Sequence, residues 1–135
     1  MRLHEARRKV GRIKCGELVR VIKIKRIYEP VEPSDGYRVL VDRLWPRGVA
    51  RAGAKLDDWL KDIAPSTELR KWFHHEPERW DEFVNRYQAE LQLPLQAEHL
   101  ERLRKISCGR TITLLYGARN EGRNHAMVIK GLLSG

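Results

Sequence analysis

A chain of 135 residues suits one domain with one core, because at this size folding hides roughly two-thirds of the surface an unfolded chain exposes. Hydrophobic residues make up 41% and charged residues 33%, a balance that fits a globular protein and argues against disorder. No run of about 18 apolar residues offers a membrane span and the first twenty residues lack the apolar centre of a signal peptide, so no membrane partner is expected and the cytoplasm is the expected location. The net charge of +9 invites a nucleic-acid reading, but residues 1–20 alone hold seven Lys/Arg against two Glu, so most of the excess belongs to the tail.

Residues 1–20 show basic clusters without apolar periodicity and read as a weakly ordered extension, with residues 21–135 as a single α/β domain. "VIKIKRIY" from Val21 places Ile22, Ile24 and Tyr28 on one face and Lys23 and Lys25 on the other, the alternation of a strand with an exposed face. Its direction is left open, because the short proline-containing link "EPVEPSDG" is brief for a parallel crossover. "YRVLVD" follows as a second strand, with Val39, Leu40 and Val41 suited to burial on both faces. "VARAGA" reads as a loop. In "KLDDWLKDI", Leu56, Trp59, Leu60 and Ile63 fall at i, i+3, i+4 and i+7, which predicts a short amphipathic helix with Lys61 facing Asp57 on its solvated side.

Ser66 is placed to cap the next helix, where Leu69, Trp72 and Phe73 share a face. Pro77 opens a further helix in which Trp80, Phe83, Val84, Tyr87 and Leu91 repeat at helical spacing. Pro94 ends it. Residues 95–107 form another helix, "TITLLY" over 111–116 a third strand, and "RNHAMVIKGLL" the closing helix. The pattern predicts a small single-domain α/β fold with a short, mostly parallel sheet of about three strands and four to five flanking helices, strands 39–42 and 111–116 being parallel neighbours.

Ligands of open α/β sheets bind beyond the C-terminal strand ends, where two segments of this chain converge. "DRLWPRG" offers Asp42, Arg43, Trp45 and Arg47; "YGARNEGRNH" offers Tyr116, Arg119, Asn124 and His125. Guanidinium forks, an aromatic face and a helix N-terminus suit a planar or anionic ligand. Asp42 and His125 are the candidates for moving a proton, and Arg43, Trp45, Arg47, Tyr116 and Asn124 for holding the ligand. The competing structural readings are an ion pair that fixes the loop for Asp42 with Arg43 or Arg47, core packing for Trp45, and a surface histidine for His125. Neither G-x-G-x-x-G nor the P-loop pattern is present, so no cofactor is expected. Cys15 and Cys108 form no zinc-ligand spacing, no metal is expected, and both read as idle thiols of a reducing compartment.

The segments "IKRIYEP", "DGYRVLVDRLWPRG", "LDDWLKDIAPSTELRKWF", "HEPERWDEFVNRY" and "TLLYGARN…NHA" resemble the YeaO-like proteins, the family of the domain of unknown function 488. The resemblance runs from about Val21 to Leu133 and implies a compact α/β domain without an assigned reaction. It maps family motif positions onto Asp42, Arg43, Trp45, Pro46, Arg47, Gly48, Lys61, Asp62, Pro65, Ser66, Arg70, His75, Tyr116 and Asn124. More distant members carry Cys-His-Arg where this chain has Asn124-His125-Ala126, so a cysteine nucleophile at that position has no counterpart here. This chain also has His74 where the family often has Gly, and Asn120 where it often has Asp.

The function expected is binding, or turnover, of an anionic small molecule, nucleotide-like compounds included, at the C-terminal sheet edge. The alternative is a nucleic-acid-binding module whose basic extension, residues 1–20, makes nonspecific phosphate contacts. A protein-interaction role is the third reading, for which exposure of Trp72 or Trp80 would be the clue.

Overall fold

In the computed structural model the described residues are 20–74 and 76–134. Residues 1–19, and with them Cys15 and nearly all of the basic extension, lie outside that range, as does His75. Four strands, β1 (Ile22–Arg26), β2 (Tyr37–Leu40), β3 (Asp58–Trp59) and β4 (Ile112–Tyr116), form one sheet in the order β1-β4-β2-β3. All its pairings are parallel, with Ile22 and Tyr37 both opposite Ile112 and Leu40 opposite Trp59. The expected α/β class and the parallel pairing of β2 with β4 hold, and β1, whose direction was open, is parallel to β4. β4 is central, and each of its five residues is buried, as a strand covered on both faces requires.

The link between β1 and β2 has no α-helix: a turn closed by the Glu29 N–H to the Arg26 carbonyl at 3.0 Å leads through residues 30–32 to a 3₁₀ turn, Pro33–Asp35. Residues spanning at most about 3.3–3.6 Å each allow so short a link to run back along a five-residue strand and step across β4. Gly36 closes the link at φ +65°, where a Cβ would lie 2.2 Å from the Thr111 carbonyl oxygen, so only glycine fits.

Five helices follow: α1 (Arg51–Ala54), α2 (Thr67–Phe73), α3 (Trp80–Glu90), α4 (Pro94–Ile106) and α5 (His125–Ser134). Ser66 caps α2, its hydroxyl accepting the Leu69 N–H at 3.1 Å, and Glu90 of α3 accepts from both the Ser66 N–H and hydroxyl at 2.9 and 2.6 Å. α2 ends at His74, which takes the left-handed conformation (φ 45°, ψ 37°). Glycine takes this conformation without strain, in line with the glycine that the resemblance implies at this position.

Two sequence expectations are corrected. "VARAGA" contains the short helix α1. The helix read over Leu56–Ile63 is instead strand β3 followed by a 3₁₀ turn, Lys61–Ile63. Trp59 packs with Leu40, Leu115 and Ala54 on one sheet face, whereas Leu60 and Ile63 join the helix-covered core on the other. Opposite faces for adjacent residues is the period of a strand, and it competes with the helical spacing over so short a run. Lys61 accordingly does not flank Asp57 on a helix; its ammonium lies 4.3 Å from the Trp59 ring centroid.

The helix-covered face buries Val39, Val41, Ile112, Leu114 and Tyr116 against Phe83, Tyr87, Leu103 and Ile129. The other face carries the Trp45–Trp59 pair, with centroids 5.2 Å apart, and a buried ion cluster. Lys25, expected to point to solvent, is instead buried, with Nζ 3.0 Å from Asp35 Oδ1, while Arg38 Nη1 donates to Asp35 Oδ2 at 2.5 Å. Asp35 is 0% exposed. Burial pushes its carboxyl up, yet the Glu32 backbone N–H and the Lys25 and Arg38 donors together hold it well below the usual carboxylate range. Cys108 has no free thiol, which corrects its reading as an idle one.

Candidate functional site

β2 and β4 are neighbours, so their C-terminal ends deliver Asp42 and Gly117 side by side. Val41 N–H still donates to the Leu115 carbonyl at 3.0 Å. One residue on, Asp42 Oδ2 accepts the Gly117 N–H at 2.9 Å, so a side chain continues where the backbone ladder stops. A Cβ on Gly117 would stand 3.0 Å from that same oxygen, so a larger residue there would push against the Asp42 carboxylate.

His125, first residue of α5, completes the group. Its Nε2 lies 3.0 Å from the Val41 carbonyl oxygen and 3.0 Å from Asp42 Oδ1. Both neighbours are acceptors, so Nε2 carries the hydrogen and Nδ1 is the nitrogen left to exchange a proton. The hydrogen is directed at the Val41 carbonyl. Asp42 Oδ1, buried and without a directed hydrogen bond, meets the imidazole as an electrostatic neighbour. The ring also packs edge-on against Tyr87, centroids 6.4 Å apart. Burial pushes the Tyr87 hydroxyl well above its ordinary pKa, so it stays a neutral donor, bonded to the Ile63 carbonyl.

Beside this pair a cleft of about 230 Å³ opens between the strand ends, the α5 N-terminus and helices α2 and α3. Of the seven residues expected at the site, Asp42, Arg43, Asn124 and His125 line it. Arg43 donates from Nε and Nη2 to the carbonyls of Pro65 and Ala64 at 3.3 and 3.0 Å. Those bonds use two of its five N–H donors and fix a charged fork at the cleft. Asn124, 4% exposed, is committed to its own helix. Its amide donates to the carbonyls of Asn120 and Glu121, and its oxygen accepts the Met127 N–H. It is a cap, and Asn120 braces the turn before it by accepting the N–H groups of Gly122 and Arg123 at 2.9 Å each.

Trp45, Arg47 and Tyr116 do not line this cleft. Tyr116 is 2% exposed within the core, because period-2 alternation puts it on the face of Leu114 and Ile112; burial raises its hydroxyl pKa. Trp45 packs under the other sheet face and donates to the Val49 carbonyl at 2.7 Å. Arg47 is exposed and contributes its carbonyl to the Tyr28 hydroxyl. Two other arginines stand at the cleft instead: Arg70 from α2 and Arg123 from the turn before α5. The resemblance had marked Arg70; nothing in the spacing singled out Arg123 beyond its place next to Asn124-His125.

Asp42 is the one carboxylate among the described lining residues, against three guanidinium groups. No cysteine, serine, threonine or lysine is among them, so the Asp42–His125 pair has no side-chain nucleophile to activate there. Among the described residues no group of three or more His, Cys, Asp or Glu could hold a metal ion. Trp72 and Trp80 are half-buried and pack against the core, with Arg86 lying over the Trp72 ring at 4.2 Å.

The chain matches the family described as "Inactive DUF488-N3 subclade" over residues 21–135. It is 50% identical over 111 residues to the uncharacterized protein YeaO of Escherichia coli (strain K12), covering 80% of this chain and 92% of that protein. It is 45% identical over 114 residues to an uncharacterized protein of Mycobacterium tuberculosis (strain ATCC 25618 / H37Rv), covering 84% of this chain and 94% of the relative. No solved structure matches. A family match over this span, together with such identity to YeaO, makes the chain a member of the YeaO-like DUF488 family.

Proposed function

We propose that this protein is a cytoplasmic binding protein for a small anionic molecule, nucleotide-like compounds included, held in the cleft at the C-terminal edge of the sheet without turnover. The observation that carries the reading is the charge around the cleft: Arg43, Arg70 and Arg123 against Asp42 alone, one oxygen of which already accepts the Gly117 N–H. The N-terminus of α5 adds the positive end of a helix dipole. Binding rather than catalysis is favoured by the lack of a nucleophile among the described lining residues and by the description of the matched family as inactive.

A thermal-shift screen of anionic metabolites tests the reading. At least one carboxylate or phosphate compound raises Tm in the wild-type chain, as a ligand that binds only the folded state must. The shift falls in Arg43→Ala. A screen in which no anion stabilises the protein removes the reading.

A further inference from the structure

The cleft also has an aromatic side. Phe73 at the end of α2 and Trp80 and Phe83 in α3 all line it and form one packed group, with centroids 4.5 Å apart for Phe73–Phe83, 5.5 Å for Trp80–Phe83 and 5.9 Å for Phe73–Trp80. Phe73 and Phe83 are buried in the core, whereas Trp80 is only half-buried. Part of the Trp80 ring therefore stays open on the wall of the cleft, whereas Trp45 and Trp59 pack on the opposite sheet face with their indoles donating to the Val49 and Asp42 carbonyls at 2.7 Å each.

Resting on the anion-binding reading, we infer that the ligand is a planar aromatic anion, a single ring bearing a carboxylate or phosphate. Its ring lies in the cleft against Trp80 and its anionic group reaches the arginines. Size supports the class. A cleft of about 230 Å³ is below the usual range of about 300–1,000 Å³ for drug-sized ligands and is too small to enclose a dinucleotide. Chemistry supports it as well. An inorganic anion alone would leave the aromatic side solvated, and an uncharged ring would leave the guanidinium groups unmatched; an aromatic anion uses both.

Trp80 provides the readout. Quenching of tryptophan fluorescence is followed while the wild-type chain is titrated with benzoate, phenyl phosphate, acetate, inorganic phosphate and benzyl alcohol. The inference expects benzoate or phenyl phosphate to bind at least about tenfold more tightly than acetate and inorganic phosphate, the difference between the two aromatic anions identifying the headgroup. It expects benzyl alcohol to bind more weakly than either. Trp80→Leu, with its fold checked by circular dichroism, should bring aromatic and simple anions within about threefold of each other when affinities are read by calorimetry. Equal wild-type binding of simple and aromatic anions would overturn the inference while leaving anion binding intact. Binding of the neutral ring alone, or of none of the five, would also overturn the inference, and the anion-binding reading itself then stands or falls with the metabolite screen.

Discussion

The Gly117 N–H donates to Asp42 Oδ2 at 2.9 Å across 75 positions of sequence, and this one bond aligns the two loops that frame the cleft. Asp42 holds the end of β4 through one oxygen and faces His125 with the other, so the first residue of α5 sits against Val41 and Asp42, the two residues just past β2. Asp42→Ala would take the charged acceptor from a part-buried N–H, a loss of about 1–2 kcal/mol. Gly117→Ala forces a methyl group to 3.0 Å from a carboxylate already held in place, and overpacking of this kind costs about 1–3 kcal/mol. Urea unfolding of both variants, monitored by tryptophan fluorescence, checks these values. A double variant less destabilised than the sum is expected, because the two positions share one contact.

The buried cluster of Lys25, Asp35 and Arg38 makes stability depend on acid. Asp35 has a lowered folded-state pKa, so its contribution is complete above the unfolded carboxylate value, about 3.9, and is lost as pH falls through the lower folded value. Asp35→Ala takes the carboxylate from buried Arg38 and leaves buried Lys25 with Glu32 in place of two carboxylates, and is expected to destabilise by about 3–5 kcal/mol. Asp35→Asn is the gentler variant. Unfolding curves between pH 2 and 7 should show a flatter acid limb for Asp35→Asn than for the wild type; identical limbs would remove Asp35 from the account of acid sensitivity.

His74 stands in the left-handed region (φ 45°) at the C-terminus of α2, a conformation that costs a residue with a Cβ about 1–2 kcal/mol. Replacement by glycine relieves that cost and adds back some unfolded-state entropy. His74→Gly is therefore expected to raise stability by up to about 1 kcal/mol, read as a higher urea midpoint at unchanged m-value. A fall in the midpoint would mean that the His74 side chain contributes a contact outweighing its backbone cost.

Ser66 and Glu90 join α2 to α3 by a cap and two further hydrogen bonds. Ser66→Ala is expected to cost about 1–2 kcal/mol. Glu90→Gln should cost less, since an amide oxygen still accepts one of the two bonds. Chemical denaturation resolves the order; equal losses would show that the charge on Glu90, rather than the cap, sets the strength of the link.

Much of the fold was legible because long elements repeat their period several times. The helix through Trp80, Phe83, Tyr87 and Leu91 and the all-apolar strand β4 are of this kind. Two-residue β3 was not, since four apolar positions within eight residues fit a helix as well as a strand followed by a turn. Lys25 shows a different obstacle: alternation places it on the second face correctly, but its burial depends on Asp35 and Arg38, which reach it only through the β1–β2 link and β2, a strand that lies beyond β4. Of the residues that line the cleft, Asp42 and Arg43 were readable from a strand end and His125 from a helix start. Tyr116 was misassigned although its alternation with Leu114 already pointed to the core. The aromatic wall and Arg123 were not readable as site features, because their meeting depends on how α2, α3 and the turn before α5 pack.

The most direct test of the central claim uses Arg70→Ala and Arg123→Ala, alone and together. Both side chains are exposed, so unfolding midpoints should stay near the wild-type value while affinity for the stabilising anion, measured by calorimetry, falls at least about fivefold in each single variant and further in the double. Wild-type affinity should also weaken as salt rises. Unchanged affinity in the double variant would contradict the assignment of this cleft as the anion site.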